Sequence, residues 1–133
     1  MRRVLLAEDS ASMRAFVRAA LSSSERIGPL ELVEAQSGFD ALRLLPRGPW
    51  DLVITDINMP DINGLELISF IRKNETHKGT PILIISTASS ERDRDRGMQL
   101  GASAYLVKPF SAEAIVEHVL AQMGAAPASG AHA

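Results

Sequence analysis

Five short apolar runs alternate with segments of helical period, and this alternation restricts the possible folds more than any other feature of the chain. The runs are Val4–Ala7, Leu30–Ala35, Leu52–Ile54, Ile82–Ile85 and Ala104–Val107. Four are nearly continuous, as strands covered on both faces are. The run Leu30–Ala35 is interrupted by Glu31 and Glu34, which predicts an edge strand. Between the runs, Met13, Phe16, Val17, Ala20 and Leu21 recur at helical spacing. Ala112, Ile115, Val116, Val119, Leu120 and Met123 do the same, and both sets read as amphipathic stripes facing a core. Shorter stripes are Ala41, Leu42 and Leu45, and Leu67, Phe70 and Ile71. Ser37 and Ser111 stand where helix N-caps belong. Pro46, Gly48 and Pro49 mark one loop, and Gly79 and Pro81 another. A strand–helix unit repeated about five times predicts an α/β fold: a doubly wound five-stranded parallel sheet with helices on both faces, joined by right-handed crossovers.

With 133 residues, 46% of them hydrophobic, the chain can build one core without staples. It contains no cysteine, which excludes disulfides, thiolate metal sites and a cysteine nucleophile. No apolar run approaches the roughly 20 residues of a membrane span. The opening MRRVLLAEDS has too short an apolar patch for a signal peptide. A cytoplasmic protein without membrane insertion is expected. A net charge of −2 offers no basic footprint for nucleic acid. The end, GAAPASGAHA, is small and poor in large apolar residues. Residues 1–123 are therefore read as one domain and 124–133 as a disordered tail.

In an open parallel sheet, ligands sit outside the carboxyl ends of the strands. Glu8 and Asp9 follow the first run, Asp56 and Asn58 the third, Ser86 the fourth, and Lys108 with Pro109 the fifth. All of these ends share one edge of the sheet, so three carboxylates, a hydroxyl and an amine converge. Carboxylates crowded into one cleft repel, and some would take up protons unless a cation relieved them. A hard divalent ion that prefers oxygen, such as magnesium, suits the set. The three histidines, His77, His118 and His132, are remote from it, which disfavours zinc and leaves them structural or solvent roles. Any one of these acids alone would be an ordinary turn residue. Their occurrence at matching ends of four strands points to a site.

The segments AEDSASMR, ITDINMPDINGLELI, IISTAS and GASAYLVKPFS resemble the response-regulator receiver domain, and most of all its single-domain chemotaxis members. The resemblance runs from residue 3 to about residue 123. It implies the flavodoxin-like strand order 2-1-3-4-5. It also implies that Asp56 is a phosphoacceptor, and that Glu8, Asp9, Asp56 and the backbone carbonyl of Asn58 hold Mg2+, with Mn2+ as a substitute. Ser86 and Lys108 would contact the phosphoryl group, a cis bond before Pro109 would aim Lys108 inward, and Tyr105 would switch together with Ser86. There are departures. Glu8 stands where aspartate is commoner, Ser86 where threonine is, and Ile57 where the chemotaxis members carry tryptophan. The one tryptophan, Trp50, lies at the other end of the third run, roughly 20 Å from Asp56 at strand spacing.

The function implied is a phospho-aspartate switch of a two-component system. A histidine kinase would donate the phosphoryl group. A downstream protein, a flagellar motor switch or a phosphorelay protein, would read the altered face. The chain would be a monomer, with dimerisation on phosphorylation left open. It would turn over no external substrate and would catalyse only its own phosphorylation and dephosphorylation. Alternatives are a phosphorelay intermediate that passes the group to another histidine protein, and a docking receiver that is never phosphorylated. A magnesium phosphatase with an aspartate nucleophile is disfavoured, because Asn58 stands where such enzymes need a second acid. The segment SSERDRDRGMQLGAS has only Met98 and Leu100 as large apolar residues, so its helix should lean weakly on the core. Pairs Glu91–Arg94 and Asp93–Arg96 are expected on its solvated face, each worth a few tenths of a kcal/mol. The same helix, next to Tyr105, is expected to form part of the partner surface.

Overall fold

The computed structural model describes residues 1–124; residues 125–133, most of the expected tail, lie outside the described residues. Strands and helices alternate throughout: β1 (Arg2–Ala7), α1 (Ala11–Ser22), β2 (Leu30–Ala35), α2 (Gly38–Leu44), β3 (Leu52–Asp56), α3 (Gly64–Lys73), β4 (Ile82–Thr87), α4 (Glu91–Leu100), β5 (Ala104–Lys108) and α5 (Ala112–Met123). The five strands form one parallel sheet in the order β2-β1-β3-β4-β5. The chain reverses direction across the sheet between β1 and β3, the switch point at which such folds open a crevice.

Side chains alternate between the two faces of the sheet and build two cores. Val4, Leu6, Ile54, Leu83 and Ile85 pack with Val17 and Leu21 of α1 and Ile115 and Val119 of α5. Leu5, Ala7, Val53, Ile82 and Ile84 pack on the other face with Ala41 and Leu44 of α2 and Leu67, Ile68 and Ile71 of α3. Every residue of β3 is buried, as its central position requires. Each leucine or isoleucine so covered contributes about 1.5–3 kcal/mol of transfer free energy. The expected caps are present: Ser37 Oγ accepts from the Asp40 amide, and Ser111 Oγ from the Ala114 amide.

Two expectations from the apolar pattern are corrected. In α3 the buried stripe is Gly64, Leu67, Ile68 and Ile71, and Phe70 is half exposed. Ile68 and Phe70 lie two residues apart on opposite sides of the helix, and the sheet contacts only one. The run Ala104–Val107 is apolar throughout, yet β5 is the second edge strand and none of its residues is fully buried. An apolar run does not reveal whether a further strand will pair beyond it.

Helix α4 lies on the sheet with little apolar contact. Its buried residues are Arg94 and Gly97. A Cβ at Gly97 would lie 2.5 Å from Ile84 Cδ1, so the absence of a side chain lets the helix backbone rest directly on β4.

Candidate functional site

The carboxyl ends of β1, β3, β4 and β5 bring Glu8, Asp9, Asp56, Ser86 and Lys108 to one edge of the sheet. The loop after β3 is tightly fixed. The Gly64 amide donates to the Ile57 carbonyl at 2.8 Å, and a Cβ at Gly64 would sit 2.1 Å from the Asp56 carbonyl oxygen. Only glycine permits helix α3 to start against the backbone of Asp56. Asn63 and Glu66 close a capping box on that helix. Asp61 takes a left-handed conformation at φ 65°, and its Oδ1 accepts from the Ile62 amide and, at 3.4 Å, from the Phe39 amide at the start of α2.

Within this frame Asp56 is nearly enclosed. Its Oδ1 accepts from the Ile57 amide at 2.7 Å and from the Asn58 amide at 3.4 Å. Its Oδ2 accepts from Lys108 Nζ at 3.0 Å. The same ammonium donates to Glu8 Oε1 at 2.7 Å. Glu8 Oε2 accepts from the Ser10 amide at 3.0 Å, and the Glu8 carbonyl accepts from Arg14 at 2.7 Å. Burial pushes the Glu8 carboxyl above its ordinary range; the bonds from Lys108 and Ser10 act against this, and the negative charge of Asp56 adds to it. For Lys108, burial alone would favour the neutral amine. The hydrogen bonds to Glu8 and Asp56 outweigh burial, and the net direction is upward. Lys108 is therefore a fixed cation clamped between two acids. The Lys108–Pro109 bond is cis, as is Gly48–Pro49.

Asp9 completes the set. Oxygens of Glu8, Asp9 and Asp56 lie within 4.8 Å of one another, with Asp9 exposed and the other two buried. Three carboxylates against one ammonium leave a local excess of two negative charges, which a divalent cation would neutralise. All donors are oxygens, the preference of a hard cation. Both oxygens of Glu8 and both of Asp56 already accept from protein donors, so the exposed Asp9 is the readiest ligand of the three.

Ser86 is fully buried, and its Oγ is the one buried side-chain polar atom without a hydrogen-bond partner among the described residues. It lies one residue beyond Ile85, the register partner of Asp56. Asn58 is exposed, and its side-chain amide donates to Ser90 Oγ at 3.2 Å. Tyr105 pairs in register with Ile84 and is 45% exposed.

Three contributors escaped the sequence reading. Gly64 carried a signal, as an Asn-Gly step that opens an apolar helix. Ser90 carried none. Arg94 carried none either, hidden within six alternating charges: it is buried, donates to the Thr87 carbonyl at 2.7 Å and lies over the Tyr105 ring. The expected pairs Glu91–Arg94 and Asp93–Arg96 are not formed among the described residues. Of the two histidines described, His77 is buried beside Gly48, and His118 bonds to the Ala114 carbonyl within its own helix.

The family model of the response regulator receiver domain matches residues 4–120. The chain belongs to the response-regulator receiver family. A chemotaxis protein CheY homolog of Campylobacter jejuni is 30% identical over 130 residues, which cover 97% of this chain and 98% of that protein. The chemotaxis protein CheY-3 of Vibrio cholerae is 34% identical over 115 residues, covering 86% of each chain. Among solved structures, the chemotaxis response regulator CheY4 of Vibrio cholerae superposes with a TM-score of 0.82 at 32% identity, over 91% of this chain and 98% of that one. The Mn2+-bound form of the response regulator Rcp1 superposes with a TM-score of 0.76 at 25% identity, over 91% of each chain. The receiver is thus CheY-like, a signalling module rather than a metabolic enzyme. No helix among its described residues is long and apolar enough to cross a membrane.

Proposed function

We propose that the receiver is a phospho-aspartate switch whose acceptor is Asp56. One observation carries this reading. The hydroxyl of Ser86, buried at the end of the strand beside Asp56, has no hydrogen-bond partner among the described residues. Buried hydroxyls find partners in nearly all proteins. A phosphoryl oxygen on Asp56 would supply one.

A carboxylate oxygen of Asp56 attacks phosphorus in the phosphohistidine of a histidine kinase. The new P–O bond forms as the P–N bond breaks, and the departing imidazole takes up a proton. Hydrogen bonds from the Ile57 amide and Lys108 fix the orientation of the carboxylate, which lowers the entropic cost of the encounter. Lys108 neutralises charge on the transferred oxygens and remains protonated, since the two acids beside it raise its pKa. Mg2+ held by Asp9, Asp56, the Asn58 carbonyl and Glu8 would supply further charge neutralisation, with Mn2+ as a substitute. Water later attacks the acyl phosphate at phosphorus, which restores the Asp56 carboxylate and releases inorganic phosphate. While the group is present, Ser86 donates to it, and the change passes to Tyr105 and to the faces of α4 and β5. A downstream protein then recognises that surface, either a motor-switch component or a phosphorelay protein. In this reading the receiver works in the cytoplasm with its kinase.

The test is intact mass after incubation with acetyl phosphate, with and without Mg2+, for wild type and Asp56→Asn. A single Mg2+-dependent phosphoryl adduct that the variant lacks is expected. An adduct that persists in Asp56→Asn would move the acceptor elsewhere. No adduct from either acetyl phosphate or a histidine kinase would remove the reading.

A further inference from the structure

We propose that Arg94 is a latch that holds the receiver in its unphosphorylated arrangement by tying the end of β4 to Tyr105, and that phosphorylation of Asp56 opens it. The second half rests on the phospho-aspartate reading; the first half does not.

Arg94 is unusual within its own helix. Arg92 and Arg96 on either side are exposed, while Arg94 is 9% exposed. Among the described residues no carboxylate pairs with it, although Glu91, Asp93 and Asp95 share the helix. Burying a guanidinium without an acid is unfavourable unless other groups compensate. Here there are two. Nη1 donates to the Thr87 carbonyl at 2.7 Å, and Cζ lies 5.3 Å from the centroid of the Tyr105 ring, within cation–π range. One side chain therefore joins the two parts of the protein that must move: the residue after Ser86 and the exposed tyrosine of β5.

The rest of α4 offers few competing restraints. Ser90 accepts from Asn58 at one end, Arg72 donates to the Gly101 carbonyl at 2.9 Å at the other, and Gly97 rests on Ile84 between them. A hydrogen bond from Ser86 to a phosphoryl oxygen would draw the β4 end toward Asp56 and carry the Thr87 carbonyl away from Arg94. The guanidinium would then keep only the aromatic ring, a position that no longer compensates its burial. Arg94 turns out to solvent, and Tyr105 is free to leave its exposed position.

Tyr105 is the only tyrosine in the chain, so 3-fluorotyrosine labelling yields one fluorine resonance that reports on it alone. The comparison is between wild type, Arg94→Met, which keeps the apolar stem, and Arg94→Lys, which keeps the charge but loses the planar fork. Circular dichroism confirms folding in each. Without a phosphodonor, amide exchange over residues 87–95 should be faster in both variants than in wild type, and equal exchange overturns the latch. With acetyl phosphate and Mg2+, the wild-type resonance should shift on phosphorylation, and the shift in Arg94→Met should be much smaller. A charge-assisted bond made only in the unphosphorylated state biases the equilibrium by about tenfold, so the initial rate of adduct formation in Arg94→Met should rise by about that factor. An unchanged rate with a full-sized Tyr105 shift assigns Arg94 a purely structural role. Intact mass on the same samples separates the two hypotheses. If no adduct forms with acetyl phosphate or with a histidine kinase, the phospho-aspartate reading fails, and the exchange comparison still decides whether Arg94 holds the β4 end.

Discussion

Replacing Lys108 with methionine removes one cation from between two acids and keeps most of the side-chain volume. Glu8 and Asp56 accept from the same ammonium at 2.7 and 3.0 Å, and their side chains are 1% and 10% exposed. Removing one partner of a fully buried ion pair costs about 3–5 kcal/mol. Here Glu8 can escape by taking a proton. At pH 7 that escape costs about 3–4 kcal/mol from the ordinary glutamate pKa, which caps the penalty. Water reaching the open side at Asp9 lowers it further, and a loss of about 2–3 kcal/mol is expected in EDTA. For a domain of this size that is a fall of about 1–2 M in the urea midpoint, read by the fluorescence of the buried Trp50. Two further signs follow. The deficit should shrink toward pH 5, where protonating Glu8 costs only about 1 kcal/mol. It should also shrink in Mg2+, which the three carboxylates bind more tightly once the ammonium is gone; a Kd tenfold tighter in the variant than in wild type would return about 1.4 kcal/mol at saturation. A deficit below about 0.5 kcal/mol in EDTA at pH 7 would refute the electrostatic account of the site, since exposed pairs have that worth. So would a deficit indifferent to both pH and Mg2+.

Four other outcomes are expected. Gly64→Ala would place a methyl 2.1 Å from the Asp56 carbonyl oxygen; it should destabilise by about 2–3 kcal/mol in urea unfolding and slow adduct formation on Asp56. Arg2 donates to the carbonyls of Ile27, Met123 and Gly124 at 2.6, 3.1 and 2.7 Å, so Arg2→Ala should cost about 2 kcal/mol and speed amide exchange in the last turn of α5. In the proposed reading, Mg2+ binding would compete with protonation of Glu8. Because that carboxyl is raised, calorimetric affinity at falling pH should begin to drop above the ordinary glutamate range, with proton release on binding. Trp50 is buried at the opposite end of β3 from Asp56 and bonded to the Leu45 carbonyl at 2.9 Å, so Mg2+ titration should leave its fluorescence nearly unchanged, and strong quenching would contradict the geometry.

Much of this protein can be read from local pattern. The alternation of apolar runs and helical stripes reports an α/β sheet because strand and helix periods differ and each must bury one face. The rule that ligands gather at carboxyl strand ends is enough to bring Glu8, Asp9, Asp56, Ser86 and Lys108 together from the sequence alone. Glu31 and Glu34 marked β2 as an edge, since Glu31 is exposed and Glu34 pairs with Arg14 and Arg18. Other features have no local signature. Phe70 and Ile68 are equally apolar, and only the direction from which the sheet meets α3 separates them. β5 is an edge because nothing among the described residues pairs beyond it. The clamp of Lys108 on residues 100 and 52 positions away forms only when β1, β3, β4 and β5 have paired in register. In ERDRDR each arginine follows an acid, and Arg94 turns inward because helix α4 sets it above Thr87 and Tyr105. Local sequence encodes period, propensity and the kinds of groups available. Which charged group meets which depends on contacts between distant segments, and those exist only in the folded chain.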